Sequence, residues 1–141
     1  MKERFSNKTA IAPTASISII CVVSSPGIEP IDANSYTHKT LSGSFNVRNK
    51  YLKKILKKYN KDSDEVWSTI TTNQGSVSHL NFLTANEKDT FKTAFEIDQR
   101  WIVELGADRT PHISQAQSVN IFVPADLHKK ELHDIHFQAW K

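Results

Sequence analysis

The apolar, β-branched run from Thr9 to Val23, interrupted by Pro13, restricts the fold more than any other stretch of this chain. A proline fixes φ and has no N–H to give to a sheet. Thr9-Ala10-Ile11-Ala12 therefore reads as the end of a buried strand, and the apolar stretch from Thr14 to Val23 predicts a short helix. Near the other end, Gln117 to Pro124 alternates through Val119, Ile121 and Val123 as a short strand does. Strands separated by helical sequence predict an α/β arrangement with parallel strands. A parallel pair needs a long crossover and cover on both faces. Few strands are visible, so missing neighbours and exposed apolar faces are expected.

Between these runs, the string SSPGIEPIDAN ending at Asn34 is dense in turn formers and reads as irregular chain wrapping over a surface. Tyr36 to Val47 has strand character, with a turn near Ser42-Gly43-Ser44. Leu52, Ile55, Leu56 and Tyr59 recur at helical spacing among Lys53, Lys54, Lys57 and Lys58, which predicts an amphipathic helix with a basic outer face. A second helix is predicted over Ser63 to Thr71. Thr84 and Glu87 form a capping box that opens a long helix, with Phe91, Ala94, Phe95, Trp101, Ile102 and Leu105 on one face and Gly106 as its stop signal. Ala125 to Lys141 predicts a closing helix carrying Leu127, Leu132, Ile135 and Trp140.

At 141 residues the chain has the length of one domain or part of one. A hydrophobic fraction of 38% and a mean hydropathy of -0.45 fit a chain short of core residues, as a partial domain would be. No run approaches the roughly 18 apolar residues of a spanning helix, and the first residues lack the apolar core of a signal peptide. A cytoplasmic location, with no membrane partner, is the expectation. The net charge of +3 suits an anionic ligand but falls short of the dense positive stripe of a nucleic-acid binder, so no direct nucleic-acid contact is expected. The single cysteine, Cys21, rules out a dithiol pair within these residues.

Ala12-Pro13-Thr14-Ala15-Ser16 stands where the strand end gives way to the predicted helix start. Thr14 and Ser16 offer hydroxyls, and a helix N-terminus offers unpaired N–H groups and a partial positive charge, which is a phosphate-binding context. On these five residues alone the phosphate signal is weak, because Thr and Ser before a helix are more often plain N-caps.

The strings TAIAPTASISIIC, GIEP, ANSYTHKTLSGSFNVRN, EKDTFKTAFEIDQRW and ADRTPHISQAQSVNIFVPAD resemble, in collinear order through nearly the whole chain, the C-terminal part of the class I ribonucleotide reductase large (alpha) subunit. The resemblance implies a segment of a ten-stranded α/β barrel, with residues 1–141 forming one incomplete segment of the barrel domain. It implies reduction of ribonucleoside diphosphates to 2′-deoxyribonucleoside diphosphates by the assembled enzyme. The family's substrate diphosphate loop falls on Pro13, Thr14, Ala15, Ser16 and Ile17. Backbone amides and hydroxyls hold an anion there without a mobile cation beside a radical site. The implied partners are the rest of the large subunit and the small (beta) subunit, whose metal centre supplies the radical. No cofactor and no catalytic residue is expected on this chain itself.

The departures from the family pattern bear on that reading. The family's catalytic cysteines, Asn and Glu belong to sequence upstream of the segment that matches here, and its pair of adjacent tyrosines follows it. Tyr36, Tyr51 and Tyr59 include no adjacent pair. Val22, Val23 and Pro26 stand where many members have glycines, and β-branched residues resist positive φ. An inactive remnant that binds nucleotide or protein without catalysis is therefore the alternative expectation. Cys21 is expected to be a buried structural thiol. His128, His133 and His136 invite a metal-site reading, but no further ligand falls at a recognised spacing, so solvated surface histidines are expected. The lysines from 53 to 58 read as a solvated helix face. Asp98 interrupts the apolar stripe and is the acid to check for a buried partner.

Overall fold

A computed structural model describes residues 6–21, 25, 27–41 and 43–141. The chain divides into two units, Ile31–Ile97 and the combination of Met1–Pro30 with Asp98–Lys141.

The Ile31–Ile97 unit begins with strands β1 (Ser35–Thr40) and β2 (Gly43–Arg48). They pair with Ser35 opposite Arg48 and Thr40 opposite Gly43. The turn falls where the sequence places it, although Ser42 lies outside the described residues. This two-stranded sheet is antiparallel, as a tight turn between neighbours requires, and among the described residues the parallel pairing expected of helix-separated strands is confined to a single bridge, Ile11 to Gln117.

Helix α2 (Lys50–Lys58) follows, its N-cap Asn49 accepting from the amides of Tyr51 and Leu52. Leu52 and Leu56 are fully buried, and Lys53, Lys54, Lys57 and Lys58 face solvent as the spacing predicts. Helix α3 (Asp64–Thr72) is capped by Ser63, within one residue of its predicted span. Leu52, Leu56, Trp67, Ile70, Val77, Leu80, Leu83 and Phe91 make the core of this unit.

Asn34 organises that core although it stands among turn formers. It is 1% exposed. Its Nδ2 donates to the carbonyls of Gly75 (3.0 Å) and Phe91 (2.7 Å), and its Oδ1 accepts from Asn49 Nδ2 (2.8 Å). Gly75 sits at φ +80°, and a Cβ there would lie 2.4 Å from Ala33 Cβ, so the approach of the two segments requires glycine.

The long helix predicted after Thr84 is three pieces: α4 (Ala85–Thr90), a 3₁₀ turn (Ala94–Glu96) and, in the other unit, α5 (Arg100–Arg109). The predicted capping box at Thr84 and Glu87 is present. The break comes from a second one, in which Thr93 N–H donates to Glu96 Oε2 at 2.8 Å and restarts the chain nine residues on. Phe91 and Ala94 are buried, but Phe95, Trp101 and Leu105 are exposed, so no single apolar face runs through. Gly106 lies inside α5 and does not end it.

In the unit formed by Met1–Pro30 and Asp98–Lys141, helix α1 (Ala15–Ile20) lies where the short helix was predicted. Helix α6 (Lys129–Trp140) starts at the His128 cap, four residues later than predicted. Of its predicted apolar contacts only Ile135 is buried, whereas Leu132 and Trp140 are exposed. Gln117–Pro124 is not a strand of a sheet. It makes one parallel bridge, Ile11 to Gln117, because its other partners on that edge are side chains.

Candidate phosphate-binding turn

Residues 8–12 are laid along residues 114–118 by backbone and hydroxyl hydrogen bonds. Gln115 N–H donates to the Thr9 carbonyl (3.0 Å), Ile11 N–H to Ala116 (3.3 Å) and Ser118 N–H to Ile11 (2.7 Å). Thr9 Oγ1 accepts from Ser114 N–H at 2.9 Å. Gln117 then fastens this pair to α5. Its Nε2 donates to the Gly106 carbonyl (2.8 Å) and Thr110 Oγ1 (2.9 Å), and its Oε1 accepts from Arg109 Nε (3.2 Å).

At Pro13 the ladder ends, as a residue without an N–H dictates. Ser18 N–H donates to the Thr14 carbonyl at 2.7 Å, and Cys21 N–H to Ile17 at 2.9 Å. The amides of Ala15, Ser16 and Ile17 therefore form the opening turn of α1, where helix geometry supplies no acceptor four residues back. Pro13, Ser16 and Ile17 are exposed and Thr14 is half-buried. The five predicted residues form one turn that follows a single bridge at Ile11 and not the end of a buried strand, since Thr9, Ala10 and Ala12 are exposed. Val22, Val23 and Pro26 lie outside the described residues.

Beyond the turn, Glu29 is 6% exposed, against the surface chain read from its neighbours. Its Oε1 accepts from the backbone N–H of Asn120 and from Asn120 Nδ2 (3.2 Å). Gln99, also buried, accepts the Phe122 N–H at 2.8 Å. Neither residue carries a local signal, since each is recognised only by a partner far along the chain.

Cys21 is exposed, which corrects the buried thiol expected. It follows a six-residue helix whose Ile17 and Ile20 also face outward, and no described residue covers that face. His128 caps α6 through Nδ1, His133 stacks on Phe137 at 6.0 Å, and His136 Nδ1 lies 2.8 Å from the Leu132 carbonyl. Among the described residues no three of His, Cys, Asp or Glu stand together as metal ligands. Among the described residues Asp98 has no buried partner. It pairs with the exposed Arg100, whose guanidinium holds its carboxyl below the usual range.

Residues 3–141 match the family model described as the ribonucleotide reductase barrel domain, and the chain belongs to that family. It is 51% identical to the ribonucleoside-diphosphate reductase large subunit of Invertebrate iridescent virus 6, over 98% of this chain and 15% of that protein. Against the large subunit of Invertebrate iridescent virus 3 it is 47% identical, over 97% and 22%. Among solved structures, the class Id ribonucleotide reductase alpha subunit of Actinobacillus ureae superposes with a TM-score of 0.81 at 36% identity, over 92% of this chain and 23% of that one. The fold is therefore that of a segment of the reductase α/β barrel. The chain spans less than a quarter of the length of each of these relatives. No described helix is long and apolar enough to cross a membrane.

Proposed function

We propose that this chain serves as part of a ribonucleoside-diphosphate reductase large subunit, an enzyme that converts ribonucleoside diphosphates to 2′-deoxyribonucleoside diphosphates. The supporting observation is the match over residues 3–141, which includes the turn. Within it, Pro13, Thr14, Ala15, Ser16 and Ile17 hold the diphosphate. The amides of the opening turn donate to phosphate oxygens, and the Thr14 and Ser16 hydroxyls add two donors. These groups carry no proton that titrates near neutrality, so the pH dependence of the grip follows the ligand's own terminal phosphate, whose second ionisation lies at about pH 6.

With one cysteine, these residues provide no dithiol. The reacting thiols belong to the remainder of the large subunit, and the radical comes from a small subunit with a metal centre. This chain binds and orients substrate, and all 141 residues act as one segment of the barrel domain. The enzyme's setting is the cytoplasm.

The test is a titration of the ¹⁵N-labelled chain with inorganic pyrophosphate. Saturable shifts at the amides of residues 15–17, abolished by Ser16→Asp, are the expected result. Shifts confined to the α2 lysines, or none at all, would contradict the assignment and leave a binding remnant as the better description.

A further inference from the structure

Both ends of the stretch that bears the turn are tied to one extended segment. Ile11 is bonded to Ala116 and Ser118, and Glu29 to Asn120. In extended chain, alternate N–H groups share an edge. Those of Ser118, Asn120 and Phe122 go to the Ile11 carbonyl, the Glu29 carboxylate and the Gln99 carboxamide. A side chain thus stands in for backbone at the position next to the bridge. Gly27 makes room for it, since a Cβ there would lie 2.0 Å from Glu29 Oε2.

We infer that Glu29 is a positioning residue for the phosphate-binding turn. Ile11 fixes where the chain enters the excursion through residues 13–17, and Glu29 fixes where it returns. With both ends held on residues 116–120, the turn is ordered before any anion arrives, and the cost of ordering it is removed from binding. Glu29 does not itself touch the substrate. The inference rests on the phosphate assignment above for its purpose, but the ordering is measurable without a ligand.

Amide hydrogen exchange on the chain without ligand tests it directly. Glu29→Ala removes the acceptor, and Gly27→Ala displaces it by a different route. Both are expected to speed exchange at Ser18 and Ser118 by about tenfold, the effect of one lost buried hydrogen bond. Amides of α3, in the other unit, should be unchanged. Glu29→Gln keeps an oxygen for Asn120 and should restore near-parental exchange. Pyrophosphate affinity should fall about tenfold in the first two variants and recover in Glu29→Gln. Unchanged exchange at Ser18 and Ser118 in Glu29→Ala overturns the positioning role. If exchange responds as expected but the parent chain binds no pyrophosphate, the phosphate assignment fails and the ordering role of Glu29 stands.

Discussion

Asn34 shows how much a single polar side chain settles in this fold. Its three side-chain bonds reach Gly75, Phe91 and Asn49, so it joins the end of α3, the end of α4 and the cap of α2. A buried amide of this kind stabilises only while every bond is made, because its partners lose water as well. Asn34→Ala should cost about 3 kcal/mol in chemical denaturation, with most of the loss in the Ile31–Ile97 unit. A loss under about 1 kcal/mol would mean that water replaces the amide. His79 gives a pH signature. Burial, with the Lys88 ammonium nearby, lowers its pKa, and Nδ1 is buried with no partner among the described residues while Nε2 faces Thr69 Oγ1 at 3.1 Å. The folded chain therefore favours the neutral ring. The stability this contributes is complete above the free-histidine pKa of about 6.5 and falls as pH drops through it towards the lowered folded value. The parent should lose more stability than His79→Gln between about pH 8 and about pH 5. Parallel curves would contradict this.

At the scale of elements, the best-read parts were those whose signals are local. The cap at Thr84 and Glu87, the lysine-faced helix α2, the Ser63 start of α3 and the hairpin turn depend on residues within a few positions of each other. The break after Phe91 was equally local, in Thr93 and Glu96, but the apolar spacing from Phe91 to Leu105 masked it. Glu29, Asn34, Gln99 and Gln117 were not legible, because their partners lie elsewhere in the chain. The end of α3 offers a test of the local reading. Gln74 adopts φ 55°, and its N–H donates to Thr71 while Gly75 N–H donates to Ile70. That is a helix C-terminus that favours glycine at the left-handed position. Gln74→Gly should raise stability by about 1 kcal/mol, read as a shift in denaturant midpoint, and a decrease would show that the Gln74 side chain contributes contacts.

Over the whole molecule the two units differ in how well they are filled. Eight large hydrophobic residues are buried together in Ile31–Ile97, whereas in the unit holding the turn only Ile102 and Ile135 are buried hydrophobics among the described residues. There Trp101 is 57% and Trp140 79% exposed. Burial of apolar area is the main favourable contribution to folding, so amides of α5 and α6 should exchange through lower-energy openings than those of α2 and α3. Equal protection in the two units would contradict that ranking. The collinear strings placed the chain in the reductase family, but the turn's supports, Gln117 and Glu29, emerged only from the structure. The role proposed for this segment is to hold the substrate diphosphate for a reductase. Its most direct test is to recover the tagged chain with its partners from native extract and assay ribonucleoside-diphosphate reduction. Co-recovery of a cysteine-bearing large-subunit partner is expected, with activity that Ser16→Asp abolishes. Activity indifferent to Ser16→Asp, or no such partner and no activity, would contradict it.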